Sequence, residues 1–240
     1  MLVFAHDSDL HFTPHGPRKT KLKHPKLLAD TEAEFVIVTG DLTQNGYDGR
    51  YINFGVFKIR YGGDEDQLGP LKHEYVKPLV ESGKNVYLCA GNHDRGRSFI
   101  KVFTYRPVRR YIRKRHHGNT YSFQVRGLNF VIIDEYPSSS RRKWLKRQLQ
   151  RHSGEPFIIA FHFNLEGKFS DWWSQSAKDK FHRCIQGHNI LAILVGHHHV
   201  SKVSEWHGFR VISSAKNFSL IYYNTEDQVI EDVSFSMLSK

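Results

Sequence analysis

Val86-Tyr87-Leu88-Cys89-Ala90-Gly91-Asn92-His93-Asp94 is an apolar run that breaks abruptly into a glycine and three side chains able to bind a metal or move a proton. A short apolar run without alternation predicts a strand covered on both faces. The same arrangement recurs along the chain. Residues 2–5 lead to Asp9-Leu10-His11, residues 35–39 to Gly40-Asp41, residues 157–161 to His162, and residues 190–195 to Gly196-His197-His198-His199. Between these runs the sequence reads as helix. Leu68, Leu71, Tyr75 and Leu79 recur at helical spacing and Gly83 ends the repeat. Trp144-Leu145 with Gln148-Leu149 marks a second helix, and residues 177–185 a third. A hairpin is expected over residues 121–125 and 129–133 with its turn at Arg126-Gly127, followed by strands at 211–213, 219–223 and 229–235. Strands alternating with helices and then a strand-rich end imply a layered α/β fold with mixed sheets.

The residues that follow the strands carry the chemistry. Asp9 and His11, two apart on an extended strand end, are expected to project to one side and share a cation. By the same geometry His197 and His199 are expected to approach two neighbouring metals. Gly40, Gly91 and Gly196 allow the sharp exits that aim these groups together. Taken singly, an Asp-x-His is ordinary surface sequence and a Gly-Asp is an ordinary turn. Five such motifs in order, each at the carboxyl end of a predicted strand, are not expected by chance.

The ordered set Asp-x-His, Gly-Asp, Gly-Asn-His-Asp, His and Gly-His-x-His, over residues 9–199, resembles the signature of the calcineurin-like metallophosphoesterases. The Asp-Leu-His and Gly-Asn-His-Asp blocks are most similar to the branch that contains class III cyclic-nucleotide phosphodiesterases. Phe161-His162-Phe163-Asn164 departs from the His-Pro that this branch often carries. The resemblance implies a layered αββα sandwich; residues 1–240 are read as a single domain, and the least regular stretches, 44–67 and 164–176, as small cap loops. The resemblance also implies two metal ions: Asp9, His11 and His199 on the first, Asp41 bridging, and Asn92, His162 and His197 on the second, with a hydroxide held between them. His93 would stand outside the metal shell as the general acid, and Asp94 would orient it through a hydrogen bond. Arg95 is a candidate contact for substrate phosphate, and Asp7 falls outside the shell. A mixed nitrogen and oxygen donor set suits Mn, Fe, Zn or Ni.

The expected activity is hydrolysis of a small or nucleotide-like phosphoester, as diester or monoester. A nuclease acting on single-stranded nucleic acid is the alternative enzyme. A non-catalytic scaffold of the same fold is disfavoured, because no ligand of the signature and no His93 is missing. The 240 residues, 39% hydrophobic and 13% aromatic, suit one core, and the net charge of +11 favours anionic partners. From Arg106 to Arg115 there are six basic residues and no acidic one, with Tyr105 and Tyr111 interleaved, and residues 141–151 carry six more. These read as solvated faces, with a polyanion track as the alternative. Trp172-Trp173 is read as either a stacking surface at the pocket mouth or a packed cap. His198 is expected to point away from its two neighbours, and His6, His116, His117, His152, His182, His188 and His207 read as ordinary histidines. The apolar start stops at His6-Asp7, too short for a signal peptide, and no run approaches the roughly 18–20 apolar residues of a membrane helix. Cys89 and Cys184 have no metal or redox spacing, so a reducing, cytoplasmic compartment is expected.

Overall fold

The computed structural model describes residues 1–49, 51–60, 65–96 and 106–236. Its strands in chain order begin with β1 (Leu2–Asp7), β2 (Phe35–Thr39), β3 (Tyr51–Phe54), β4 (Phe57–Arg60), β5 (Asn85–Cys89), β6 (Tyr121–Val125) and β7 (Leu128–Ile132). They continue with β8 (Phe157–Ala160), β9 (Ile190–Val195), β10 (Ser201–Trp206), β11 (Phe209–Ser214), β12 (Ser219–Asn224) and β13 (Val229–Phe235). One sheet runs β13-β12-β1-β2-β5 and the other β10-β11-β9-β8-β7-β6. In the first, β1, β2 and β5 are parallel; in the second, β7, β8, β9 and β11 are parallel. The remaining pairings of both sheets are antiparallel, which makes both sheets mixed.

The lack of alternation in the apolar runs has a direct cause, because each sheet is covered twice. Leu2, Phe4, Phe35, Ile37 and Cys89 point between the sheets and meet Leu128, Phe130, Ile132, Ile158, Ala160 and Leu194. The intervening Ala5, Val36, Val38, Val86 and Leu88 point outward. They pack on Leu28 of α1 (His24–Ala29), on Leu71 and Tyr75, on Leu79 of α3 (Lys77–Glu81), and on Val108 and Ile112 of α4 (Pro107–His116). The outer face of the second sheet packs Phe157, Ile159 and Ile193 on Leu145 and Leu149 of α5 (Ser139–Arg151) and on Phe181 and Ile185 of α6 (Gln175–Ile185). Each such side chain contributes roughly 1.5–3 kcal/mol on burial. Helices, sheet, sheet, helices is the expected αββα order.

Helix α1 and strand β10 were not read from the sequence, and three further regions differ from that reading. The basic stretch at 106–115 forms helix α4, begun by Pro107 at its first turn and buried through Val108 and Ile112. Its charge density had hidden a narrow apolar stripe. Residues 51–60, expected as cap loop, pair as the antiparallel hairpin β3–β4. The helix over 68–81 changes pitch: α2 (Leu68–Pro70) passes into a π-helical turn, Leu71–Val76, before α3, and the Lys77 N–H reaches back to the Lys72 carbonyl. Residues 50 and 61–64 of the expected 44–67 cap, and Tyr105, lie outside the described residues. Among the described residues no helix is long and apolar enough to cross a membrane.

Candidate metal centre

The parallel strands of both sheets end at one edge, and their following loops are tied together there. Asp9 N–H donates to the Gly40 carbonyl, His11 N–H to Asp41 and Phe12 N–H to Leu42, at 3.1, 2.9 and 3.0 Å. Gly196 N–H donates to the His162 carbonyl, and His162 N–H to the Glu135 carbonyl, each at 2.9 Å. Backbone hydrogen bonds thus lock the loops from β1, β2, β8 and β9 before any side chain is considered.

Two groups of ligand atoms result, and within each all ligand atoms lie within 4.8 Å of one another. One is Asp9, His11, Asp41 and His199; the other is Asp41, His162 and His197. Asp41 is common to both. Its Oδ2 lies 3.2 Å from His162 Nε2 and 3.7 Å from His11 Nε2. His199 Nε2 is 3.2 Å from Asp9 Oδ1 and 3.4 Å from His11 Nε2. Asn92 Oδ1 lies 3.1 Å and His197 Nδ1 3.2 Å from His162 Nε2, so Asn92 adjoins the second group.

The geometry is reached by a different route from the one the sequence suggested. β1 ends at Asp7 and β9 at Val195, so neither pair of ligands lies on an extended strand. Asp9, His11, Asp41, His197 and His199 instead have φ of +56, +49, +48, +67 and +55°. Left-handed backbone is uncommon for such residues and is retained where surrounding structure over-determines it. The loop hydrogen bonds above supply that constraint. Gly40, Gly91 and Gly196 are all required by space, and Gly40 also by its φ of +87°: a Cβ at Gly40 would strike the His162 ring and the Gly91 backbone. A Cβ at Gly91 would strike Asp41, and one at Gly196 would strike Ser8 and Asp9.

Electrostatics describe a place for positive charge. His162 Nδ1 donates to the Thr39 carbonyl at 2.8 Å, which turns Nε2 toward the Asp41 and Asn92 oxygens. Between Nε2 and these oxygens belongs a positive charge, a metal ion or, without one, a proton on Nε2. Burial disfavours the His162 imidazolium, but the Asp41 and Asp9 carboxylates outweigh it and raise its pKa to about 9. Burial would raise Asp41, yet His162 and His11 hold it well below the usual carboxylate range. Burial lowers His11 and His197 to about 4, leaving them neutral lone-pair donors. A buried, acceptor-rich donor set of imidazoles and carboxylates fits divalent cations.

His93 stands beside this cluster, its ring 4.7 Å from that of His11. Its Nδ1 lies 2.7 Å from the Gln44 carbonyl, which can only accept. The expected hydrogen bond from Asp94 to His93 is not what the structure contains. Asp94 Oδ1 accepts from the Thr43 N–H and hydroxyl, and Oδ2 from the Leu42 and Gly91 N–H groups, all at 2.9–3.0 Å. Asp94 clamps the loop after β2 to the loop after β5. Burial and the nearby Asp41 charge raise its pKa to about 6 against those hydrogen bonds.

Other expectations resolve by contact. Arg95 pairs with Glu135 at 2.6 Å rather than pointing into the centre. Within the basic stretch, Arg109 is buried against Asp134 and Glu135, and Arg115 donates to the Val86 carbonyl. Arg110, Arg113 and Lys114 face solvent. Trp173 is buried and Trp172 exposed. His6 and His116, read as ordinary, are respectively buried against Thr39 and stacked on Tyr121.

The sequence reading missed two features. Arg18 places a guanidinium 3.4 Å from His199 Nδ1 at the rim. Beneath the centre, Asp7 is enclosed by Lys21, His24 and Tyr75 at 2.6, 2.8 and 2.9 Å. No local motif marks these partners; only Asp7 itself, beside Asp9, was visible.

Comparison with known proteins supports the same reading. The family model described as calcineurin-like phosphoesterase matches residues 2–201. A 3',5'-cyclic adenosine monophosphate phosphodiesterase, CpdA, of Haemophilus influenzae is 23% identical over 193 residues, covering 77% of this chain. The chain spans 61% of that relative's length. A dimetal phosphatase from Danio rerio superposes with a TM-score of 0.65 at 13% identity, over 98% of this chain and 95% of the other. GAP50, the anchor in the inner membrane complex of Plasmodium, gives 0.61 at 13% identity, over 100% and 89%. At these identities the structural likenesses show the fold.

Proposed function

The chain belongs to the calcineurin-like phosphoesterase family, and from that premise we propose that it hydrolyses phosphodiesters of small, nucleotide-like substrates at a two-metal centre. The observation that carries the reading is the pair of ligand groups joined through Asp41. Asp9, His11, Asp41 and His199 would hold one cation, and Asp41, Asn92, His162 and His197 the other. Bound there, two divalent cations supply Lewis-acid stabilisation of a phosphoryl oxygen and acidify a water enough to attack phosphorus near neutral pH.

The protein's own groups supply the rest. Donation from His93 Nδ1 to the Gln44 carbonyl assigns that nitrogen its proton. The transferable proton of His93 is then the one on Nε2, carried only by the imidazolium and delivered to the leaving oxygen. Asp94 acts through the loops, holding Asp41 and Asn92 in register by its four hydrogen bonds. The Arg18 guanidinium adds positive charge where the phosphoryl group becomes more negative. The phosphodiesterase named in Haemophilus influenzae supports a diester over a monoester.

The test is a substrate panel with Mn-loaded protein: bis- and mono-p-nitrophenyl phosphate, cyclic AMP, and single-stranded DNA and RNA. Faster turnover of bis-p-nitrophenyl phosphate and cyclic AMP than of the monoester is expected. Preference for the monoester, or for the polymers, overturns the diesterase assignment.

A further inference from the structure

Phe169 and Trp172 are 42% and 49% exposed, although both rings flank the candidate metal centre. Their centroids lie 5.9 and 5.2 Å from that of His197, at interplanar angles of 66° and 84°. The loop that carries them is anchored from within. Trp173 is buried against Phe161 and Phe181, and its indole N–H donates to the Asn164 carbonyl at 3.0 Å. The Asn164 amide donates to the Glu166 and Lys168 carbonyls at 2.7 and 2.9 Å. Phe169 itself has φ +64°, a conformation that bulky aromatic residues rarely adopt. Buried anchors and a strained backbone thus hold two rings out of the core and beside the phosphate-binding chemistry.

We propose that Phe169 and Trp172 form a stacking platform for the nucleobase of a nucleotide phosphoester whose phosphate occupies the metal centre. The proposal rests on the phosphoesterase reading above and adds the class of substrate. Both rings lie beside His197, one of the groups that would hold the second cation, which sets a stacked base next to a phosphate bound there. The Lys168 ammonium lies over one face of the Phe169 ring, 5.0 Å from its centroid, so it puts positive charge at the same rim and leaves the other face for the base. An acyl chain suits the place poorly. The neighbouring cavity, about 210 Å³, is lined by Glu166, His198, Lys202, Ser204 and Glu205 as well as by apolar groups. Stacking needs only a π-face, so the platform accepts any base.

The proposal is tested by calorimetric binding of adenosine 5'-monophosphate and ribose 5-phosphate to the Mn-loaded protein, which needs no turnover. The parent protein should bind the nucleotide about tenfold or more tightly than the sugar phosphate, the scale of one base–aromatic stack. Trp172→Leu and Phe169→Leu should bring that ratio toward one, and Trp172→Tyr should restore most of it. Equal affinity for the two probes in the parent, or a ratio that survives in the double Leu variant, overturns the proposal. A protein that discriminates between the probes but hydrolyses no phosphoester would break the phosphoesterase reading and leave the platform standing.

Discussion

Asp7 and Asp9 lie two residues apart, both fully buried, with different groups balancing their charge. Asp7 takes its compensating charge from the chain itself. Lys21 Nζ, His24 Nδ1, Tyr75 Oη and the Ser8 N–H surround its two oxygens at 2.6–2.9 Å. Burial would raise its pKa, but His24 and Lys21 overcome that and hold it far below the usual range. Burial would raise the Asp9 carboxyl, but His199 and His162 outweigh it and hold it below the usual range, against the repulsion of the Asp41 carboxylate. The Asp9 oxygens accept the His197 N–H at 3.0–3.2 Å and meet His199 Nε2 at 3.2 Å, with no lysine or arginine among these partners; the remaining positive charge would come from a bound cation. A buried carboxylate whose cation is a lysine is part of the architecture; one whose cation must come from solution is part of a site.

The strongest way to break this contrast is Asp41→Ala. About two metals per chain are expected for the parent by elemental analysis. Loss of the shared ligand should empty both positions and reduce hydrolysis by more than any other single change. Retention of one metal with full activity would show that the two groups are independent. Adding EDTA should lower the melting temperature of the parent, because ligand bound only to the folded state stabilises it by mass action, and should leave that of Asp41→Ala unmoved.

His93→Ala should keep the metal content and slow turnover by roughly 10²–10⁴-fold, the scale of a general acid. The loss should shrink for p-nitrophenyl esters, whose leaving group needs little protonation. A collapse of metal content would instead make His93 a ligand.

On the closed side of the comparison, Lys21→Met leaves the buried Asp7 without its ammonium partner. Removing one member of a buried pair costs roughly 3–5 kcal/mol, read here as a lower urea midpoint at pH 7. The shift should be the same with and without EDTA, unlike that of the metal cluster. A loss under about 1 kcal/mol would mean that His24 and Tyr75 suffice to hold the carboxylate.

The smallest effect expected is at a third imidazole, remote from both clusters. His116 stacks on Tyr121 at 4.5 Å and accepts the Leu88 N–H at Nε2, a role open only to the neutral ring. Burial, and then Arg115, lower its pKa from 6.5 to about 4. The unfolded chain therefore takes up this proton first, and stability should fall as pH drops from about 6.5 to about 4. With partial exposure discounted, the change is on the order of 1–2 kcal/mol. His116→Gln should flatten that segment of the stability–pH curve; an unchanged slope would assign it to other groups.

The legible part of the molecule was the part written locally. Five apolar runs marked buried strands because each sheet is covered on both faces, and the groups after them were visible from residue type alone. Helix α4 was hidden because Arg and Lys dominate its surface while its apolar packing is confined to Val108 and Ile112 with Pro107 and part of Tyr111. Asp94 was assigned to the wrong partner for a related reason. Adjacency to His93 in sequence suggested a bond, but a carboxylate buried among the Leu42, Thr43 and Gly91 N–H groups satisfies those donors instead.

Residue order by itself determined where the strands that carry the site lie, which donors follow each, and that those donors suit a hard or borderline cation. Tertiary structure decided how they meet: the left-handed turns at Asp9, His11, Asp41, His197 and His199, the sharing of Asp41, and the closure of Asp7 by Lys21 and His24. It also separated Trp172 from Trp173, one at the rim and one in the core. Strand and ligand signals depend on neighbours within a few positions. Charge balance and exposure depend on groups brought together from distant parts of the chain, here across 188 residues between Asp9 and His197.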